Sequence, residues 1–158
     1  MKTEEVKLLA YNPFWGKEIL KHFINGSSEK KVNLNLSFLV FPIILNDSSR
    51  NILSSARNNS TLESSFLDNT FGRIALVGLE KRYEIFKDLT YKSIILLCQE
   101  KSLLIENETI NLNCEIDYKK EKDFFIKEYF RAAHYLGIIF SNANCELDIF
   151  LKLRIRDI

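Results

Sequence analysis

Apolar residues recur every three or four positions over much of the chain, and this spacing predicts a protein built mainly from helices. The first predicted helix covers residues 12–25, because Asn12 is a favoured N-cap residue and Pro13 is tolerated at the first helical position. The longest predicted helix covers residues 118–140. Their apolar stripes comprise Phe14, Trp15, Ile19, Leu20, Phe23 and Ile24 in the first helix, and Phe125, Tyr129, Ala132, Ala133, Leu136 and Phe140 in the second. We expect both stripes to face a common core.

Between these helices lies a segment, residues 34–45, that is apolar almost throughout and contains Pro42. Because proline lacks an N–H group and disrupts both helix interiors and central strands, we predict a short buried helix that ends near Phe41. The polar cluster that follows is suited to capping a helix over residues 48–57. The later sequence Ser-Thr-Leu-Glu resembles a capping box and predicts another short helix, which ends at about Leu67.

Residues 72–116 contain the most informative order of elements. Helical spacing runs to residue 89, and Asp88-Leu89-Thr90 is suited to capping a second helix over residues 91–101. Two short extended runs then flank Asn107-Glu108, which predicts a β-hairpin. Helix, tight turn, helix and hairpin is the order of a winged helix. We therefore predict a single domain over residues 1–158 that is mainly α with a small β component (α+β), in which additional N- and C-terminal helices surround a winged-helix-like core.

The C-terminal sequence Leu-Lys-Leu-Arg-Ile-Arg, residues 151–156, alternates between apolar and basic side chains. Strict alternation predicts a β-strand with apolar side chains on one face and basic side chains on the other. One interpretation is a solvated sheet edge that its charges protect from pairing. The other is an edge that meets an acidic surface or a neighbouring strand of a partner.

The overall charge adds little to this picture, because 22 Lys and Arg residues against 21 Asp and Glu residues leave a net charge of +1. The chain as a whole therefore lacks the positive field that is common in nucleic-acid-binding proteins. The N-terminal sequence has no uninterrupted apolar region of the kind found in secretory signals, and the longest apolar run, residues 38–45, is too short to cross a membrane. We expect a cytoplasmic protein in which Cys98, Cys114 and Cys145 are reduced and mostly buried.

The residue pattern contains no recognisable catalytic arrangement. His22 and His134 each lie in the middle of a predicted amphipathic helix, and we expect packed imidazoles rather than metal ligands or general bases. No Gly-x-Ser-x-Gly sequence occurs, and the 5 glycines are too scattered to form a phosphate-binding loop. We therefore expect a protein that is not an enzyme, with no cofactor, no metal and no small-molecule substrate.

The winged-helix order raises the alternative of a DNA-binding transcriptional regulator. Its recognition helix would be residues 91–101, which contain five consecutive apolar residues and offer mainly Lys92, Gln99 and Lys101 to solvent. The hairpin carries glutamates where a DNA-contacting wing favours Arg or Lys. We therefore keep direct DNA binding as a second hypothesis, and expect DNA contact to be indirect or to occur as part of a complex.

Several short motifs together resemble a known family. They are Asn12-Pro13 at the start of a helix, the run LSFLVFPIIL, Arg50 shortly after it, AAHYLGIIF at residues 132–140 and the ending DIFLKLRIR. This set resembles the middle components of bacterial three-component ABC systems, the group that includes the small accessory subunit of Lamassu-type defence. The resemblance implies a non-enzymatic adaptor encoded beside an ABC or SMC-like ATPase and an effector, often a nuclease. It implies that the adaptor links these two partners in conflict with phages or plasmids.

The candidate residues for a partner interface are Trp15, Arg50, Lys152, Arg154 and Arg156. Trp15 has the alternative of a core position, since large aromatic residues are commonly buried. Arg50 follows a helix cap in a polar stretch and is expected to be exposed. The three C-terminal basic residues are candidates because they would share the polar face of the predicted strand.

Overall fold

The computed structural model describes residues 11–156, which form a mainly helical structure with one small antiparallel sheet, so the predicted α+β class is confirmed. The helices are α1 (Pro13–Gly26), α2 (Val40–Ile44), α3 (Asp47–Leu53), α4 (Thr70–Ala75), α5 (Leu79–Gln99), α6 (Phe124–Ser141) and α7 (Glu146–Leu153). The strands are β1 (Lys31–Asn33), β2 (Leu103–Glu106) and β3 (Thr109–Leu112). Short 3-10 helices cover Ser28–Lys30, Leu34–Leu39 and Tyr118–Lys120, and a π turn covers Glu63–Leu67. Most of the N-terminal sequence behind the cytoplasmic expectation lies outside the described residues.

Helix α1 begins as predicted. The side-chain oxygen of Asn12 accepts a hydrogen bond from the N–H of Phe14 at 2.9 Å, and Pro13 occupies the first helical position. Proline is tolerated there because the first N–H groups of a helix have no partner within it. The predicted apolar stripe is buried at Ile19, Leu20 and Phe23, whereas Phe14 is exposed.

Helices α1 and α6 cross with their backbones in direct contact at two glycines. A Cβ atom added at Gly26 would overlap the backbone carbonyl of His134, and one added at Gly137 would overlap the backbone carbonyl of Phe23. The ring of Phe23 packs edge-on against Phe140 at a centroid distance of 5.9 Å. Glycine is therefore required at both positions for steric reasons, and the crossing forms the centre of the core.

The apolar segment before α3 is buried as expected, but its helix has different bounds. A 3-10 helix precedes α2, which begins at Val40 and ends at Ile44 rather than near Phe41. Pro42 fits because it lies in the first turn of α2, where its missing N–H group leaves no hydrogen bond unmade. Every residue of α2 is buried.

The segment between α3 and α4 is held in place by α6. Helix α3 ends at Leu53, earlier than the predicted residue 57, and the short helix predicted to end at about Leu67 is a π turn. The guanidinium of Arg131 donates to the backbone carbonyls of Leu53 at 2.9 Å and Ala56 at 3.1 Å. The side-chain amide of Asn142 donates to two further backbone carbonyls in this segment. These bonds replace the intrahelical bonds that the chain gives up after α3.

The predicted turn at residues 88–90 is wrong, because α5 is one helix of 21 residues that continues through it. Thr90 donates its hydroxyl to the carbonyl of Phe86 at 3.0 Å, and Asp88 pairs with Lys92 at 2.6 Å, so both polar side chains are satisfied within the helix. The turn that separates two helices lies earlier, at Gly78, which has a φ of 76°. Only glycine adopts this left-handed conformation readily.

The β-hairpin is confirmed. Strands β2 and β3 pair in antiparallel register from Leu103 opposite Leu112 to Glu106 opposite Thr109. Asn107 and Glu108, the predicted turn residues, have φ values of 48° and 63°, as a two-residue hairpin turn of type I′ requires. Strand β1 adds to β3, which gives the sheet order β1-β3-β2.

Helix α6 begins at Phe124 rather than Tyr118, because Asp123 caps it by accepting a hydrogen bond from the N–H of Ile126 at 3.1 Å. Phe125 is half exposed, so it does not belong to the buried stripe. The other members of the predicted stripe, Tyr129, Ala132, Ala133, Leu136 and Phe140, are buried.

The predicted C-terminal strand is wrong, because its residues form the end of α7, its C-cap and the two residues that follow. Ile149, Phe150 and Leu153 form the buried face of this helix, whereas Leu151 is exposed. The helix ends at Arg154, whose φ is 58°, and the N–H of Ile155 then bonds to the carbonyl of Phe150 at 3.1 Å. The helical spacing that begins before residue 151 therefore outweighs the short apolar–basic alternation of residues 151–156.

Candidate functional site

Two of the five interface candidates, Trp15 and Arg50, meet at the ring of Tyr129. The indole of Trp15 packs edge-on against this ring at a centroid distance of 5.6 Å, and the guanidinium of Arg50 lies over it at 4.1 Å. Trp15 also contacts Phe130 at 5.3 Å. Trp15 is therefore half-buried and spans α1 and α6.

The side chain of Arg50 is only 15% exposed, which corrects the expectation of an exposed position. Its two terminal nitrogens donate to the backbone carbonyl of Ile44 at 3.0 Å and to the carboxylate of Asp47 at 2.6 Å. Burial raises the pKa of the Tyr129 hydroxyl, and the positive charge of Arg50 partly opposes this effect. Arg50 thus links α2, α3 and α6 through its hydrogen bonds and its stacking on the ring.

The three C-terminal basic residues do not share a face. The ammonium group of Lys152 bonds to Glu63, in the π turn, and to Asp148 at 2.6 Å. Hydrogen bonds with Asp148 and Glu63 raise the pKa of Lys152, and the bond from Lys152 lowers the pKa of Glu63. Arg154 and Arg156 are exposed, and neither side chain has a polar partner within the described residues.

The strongest shift of a carboxyl pKa belongs to Glu100, at the end of α5. Burial raises its pKa, but hydrogen bonds from Lys17, Lys21 and Ser102 outweigh this effect and lower it to about 2. Both lysines lie on α1, so this group of charges joins the C-terminal end of α5 to α1. Its geometry is that of a structural ion-pair cluster.

Both histidines are packed against aromatic rings. The imidazole of His22 stacks on Phe130 with the ring centroids 4.2 Å apart, and burial together with the neighbouring His134 lowers its pKa to about 4. Burial also lowers the pKa of His134, which lies against Tyr118 at 5.2 Å. The buried Nδ1 atoms of both histidines have no hydrogen-bond partner within residues 11–156. Neutral imidazoles are therefore favoured at both positions.

The cysteines are more exposed than predicted. Cys98 and Cys145 are exposed and Cys114 is half-buried, and all three are free thiols. Partial burial raises the pKa of the Cys98 and Cys114 thiols. Within residues 11–156, no group of three or more His, Cys, Asp or Glu side chains is placed to hold a metal ion.

One cavity of about 360 Å³ lies beside the π turn. Its lining is dominated by serine hydroxyls and comprises Ile52, Ser55, Ala56, Ser60, Ser64, Ser65 and Asn69. Ser55 donates to the carbonyl of Ile52, and Ser60 accepts from the N–H of Arg57, so these hydroxyls bond to local backbone. The lining contains no ionisable side chain.

The most distinctive surface is one that the sequence pattern did not identify. Phe71, Ile74 and Val77, which we call the α4–α5 patch, are 81%, 60% and 74% exposed. The sequence pattern predicted helical spacing from residue 72 to residue 89 without separating α4 from α5. Ile74 and Val77 are exposed because the chain turns at Gly78, so α4 and α5 bury different faces.

Four exposed basic residues lie near the α4–α5 patch, two of them by their position in the sequence and two through contacts of the C-terminal segment with α5. Arg73 is on α4 and Lys81 is in the first turn of α5, while the C-terminal segment brings Arg154 and Arg156 to the same end of the molecule. That placement follows from the N–H of Arg156, which donates to Glu80 at 3.4 Å, and from the ring of Phe150, which packs against Tyr83. We call these four basic residues the cationic rim.

Arg82 holds the turn that carries the α4–α5 patch. Its guanidinium donates to the backbone carbonyls of Ala75 at 3.0 Å, Val77 at 2.7 Å and Pro42 at 2.9 Å. Burial lowers the pKa of Arg82, although a guanidinium remains charged at neutral pH. The exposed apolar side chains are therefore presented by a turn with a fixed backbone.

Comparison with known proteins identifies the family. Over the described residues, no helix is long and apolar enough to span a membrane. The chain matches no curated protein and no solved structure. Residues 2–157 match the family model described as Middle Component 3 of the ABC-three component (ABC-3C) systems. The chain therefore belongs to the family of ABC-three component system Middle Component 3.

Proposed function

We propose that this protein is a non-enzymatic adaptor that links an ABC or SMC-like ATPase to an effector. We further propose that the effector is a nuclease, that the complex acts in the bacterial cytoplasm against phages or plasmids, and that its organisation is that of Lamassu-type systems. Membership of the Middle Component 3 family implies partner components in the same system. Within that family context, the observation that carries the adaptor role is the α4–α5 patch, since contiguous exposed apolar surface is a property of interaction sites.

The perturbed ionisable groups support the non-enzymatic part of the proposal. Catalytic acids and bases are commonly held in a cleft with a pKa near the working pH. Here the pKa of His22 is about 4 and that of Glu100 about 2, and both groups are engaged in packing or ion pairs between helices. Their shifts are therefore explained by the architecture.

Co-purification tests the adaptor role. The tagged protein should be expressed together with the ATPase and the third component encoded beside it, and then purified at moderate salt. We expect both components to be retained in defined stoichiometry. If the protein elutes alone while the other two components are soluble and abundant in the lysate, the adaptor proposal is wrong.

A winged-helix regulator that binds DNA directly is the second candidate. The sheet order β1-β3-β2, with a long helix immediately before the hairpin, favours it, because a winged helix places its wing beside its recognition helix. The charges of α5 weigh against it, since Lys87 and Lys92 each pair with a carboxylate on the same helix. Duplex DNA binding by the isolated protein below about 1 μM, with a steep loss as salt rises, would favour this candidate.

A further inference from the structure

The three side chains of the α4–α5 patch lie along one ridge. Phe71, Ile74 and Val77 follow each other at intervals of three residues, and the helical part of this segment ends at Ala75. Scattered apolar residues on a surface need no explanation, but adjacent large side chains that are each more than half exposed are unfavourable in water. The patch therefore has the character of a surface that another apolar surface covers.

The cationic rim indicates which charge the partner surface carries. Arg73, Lys81, Arg154 and Arg156 are exposed, and none of their side chains has an acidic partner within the described part of the chain. Asp68, Glu80 and Glu84 are exposed carboxylates in the same region, and Glu84 pairs with Lys87, so the unpaired basic residues are in excess although the whole chain carries a net charge of only +1. Interfaces match potentials of opposite sign, so a positive rim favours an acidic partner.

A second exposed apolar surface of the same protein has a different balance of charges. Phe124 is 69% exposed at the start of α6 and also has lysines nearby, at positions 119, 120 and 122. Those lysines alternate with Asp117, Glu121 and Asp123, so the local charges balance. An exposed apolar ridge with an excess of basic residues is a feature of the α4–α5 patch.

A protein segment fits this surface better than a nucleic acid does. Arginine and lysine side chains bind phosphates, but aliphatic side chains such as Ile74 and Val77 offer a phosphate backbone no hydrogen bond. Because Arg82 already fixes the turn through three backbone carbonyls, a partner would not have to order it on binding.

We infer that the α4–α5 patch and its cationic rim form the docking site for an acidic amphipathic segment of a partner subunit in the same three-component system. This inference rests on the proposed adaptor function and assigns that function to one surface. The apolar side chains of the segment cover the patch, and its carboxylates face the rim.

Two variants of the full-length protein test the docking site, each expressed with the ATPase and the third component encoded beside it. The first carries Phe71→Gln, Ile74→Gln and Val77→Gln, which remove the apolar ridge and keep reasonable helix propensity. The second carries Arg73→Glu, Lys81→Glu and Arg156→Glu. Matched controls carry Phe14→Gln, Leu104→Gln and Phe124→Gln at other exposed apolar positions, and Lys119→Glu, Lys120→Glu and Lys122→Glu at other exposed lysines.

We expect both patch variants to fold. Each should retain one of the two components in an amount at least about tenfold lower than the wild type does, because interface hot spots supply most of the binding free energy. We expect both controls to retain wild-type amounts. Retention by the wild type should fall as salt rises, and the small amount retained by the charge-reversal variant should not.

The outcomes separate the docking site from the adaptor function. If the wild type retains its components and the patch variants retain as much, the docking inference is wrong and the adaptor function stands. The inference is also wrong if only the control variants lose a component, or if charge reversal abolishes DNA binding while every subunit is retained. If the wild type itself retains neither component, the inference and the adaptor function both fail.

Discussion

The crossing of α1 and α6 and the α4–α5 patch are both apolar, but the first is buried and the second is exposed to solvent. At the crossing, Gly26 and Gly137 allow two backbones to touch, and the surrounding side chains are buried. At the patch, Phe71 and Val77 are the two most exposed of the large apolar side chains within residues 11–156, although Arg82 fixes the backbone beneath them. Apolar character alone therefore does not indicate whether a residue is buried, because its tertiary setting decides between the core and the exposed surface.

The largest effect on stability is expected at the crossing. Gly26→Ala or Gly137→Ala places a methyl group inside a backbone carbonyl of the opposite helix, which cannot move away as a flexible side chain could. Each variant should lose more than about 3 kcal/mol of unfolding free energy, at the upper end of overpacking effects. Urea denaturation followed by circular dichroism measures the loss.

Gly78→Ala is the matched control for these variants. A Cβ there meets only the end of the Arg82 side chain at 3.5 Å, but the φ of 76° disfavours alanine. We expect a loss of about 1 kcal/mol from backbone strain alone. Equal losses at all three glycines would show that the crossing is less tightly packed than described.

Acid should weaken the crossing through His22, which packs against α6. Its pKa in the folded state is about 4, below the ordinary value of 6.5, so the unfolded chain binds more protons between these values. Stability is fully present above about pH 6.5 and is lost as pH falls towards 4, by roughly 3 kcal/mol in total. Neighbouring Asp117 and Glu121 oppose this shift, whereas His134 and Lys21 add to it.

Substitution of His22 by phenylalanine isolates this contribution. His22→Phe keeps a ring against Phe130 and removes the titrating group. Its unfolding free energy should change less than that of the wild type between pH 6.5 and pH 4.5. The lowered pKa of His134 leaves a residual dependence in this range, and the lowered pKa of Glu100 has little influence. A wild-type slope in this variant would assign the pH dependence to other groups.

A smaller effect is expected where the patch is anchored. Arg82→Met removes hydrogen bonds to three backbone carbonyls and should lower the unfolding free energy by about 2 kcal/mol. Arg82→Lys keeps the charge but not the planar group that reaches all three acceptors, so it should restore only part of the loss. Thermal unfolding of the two variants ranks them, and full recovery by lysine would contradict the anchoring role.

The smallest effect on stability is expected on the patch itself. The triple substitution Phe71→Gln, Ile74→Gln and Val77→Gln should change the unfolding free energy by no more than about 0.5 kcal/mol per residue, because these side chains bury little in the free protein. Chemical denaturation of the free protein tests this. A loss comparable to that of Gly26→Ala would mean that the patch belongs to the core.

Local interactions explain which parts of the fold were predictable from the sequence. The Asn12 cap with Pro13, and the Asn107-Glu108 turn between two short strands, depend on neighbouring residues and were predicted correctly. Thr90 was assigned to a cap because its hydroxyl can bond to backbone on either side, and the structure directs it to Phe86 inside α5. The alternation of residues 151–156 was too short to outweigh the helical face that Ile149, Phe150 and Leu153 form.

The candidate surface was less predictable, because exposure depends on distant parts of the chain. Of the five interface candidates, Arg154 and Arg156 lie in the cationic rim, but the apolar half of the surface was missed. The Asn69 cap and Gly78 bracket α4 in the sequence, and together they could have shown that α4 and α5 are separate helices. Even so, no local sequence feature shows that the apolar side chains of α4 are left exposed by the rest of residues 11–156.

Hydrogen–deuterium exchange of the free protein and of the complex with its co-expressed components tests the central claim most directly. Amides at the α1–α6 crossing are already buried, so their exchange should be unchanged on assembly. The exposed patch lies within residues 70–82. The amide exchange of this segment should therefore slow by at least about tenfold when a partner covers the patch. Slower exchange elsewhere in the chain with residues 70–82 unchanged would contradict the assignment of this surface as the docking site.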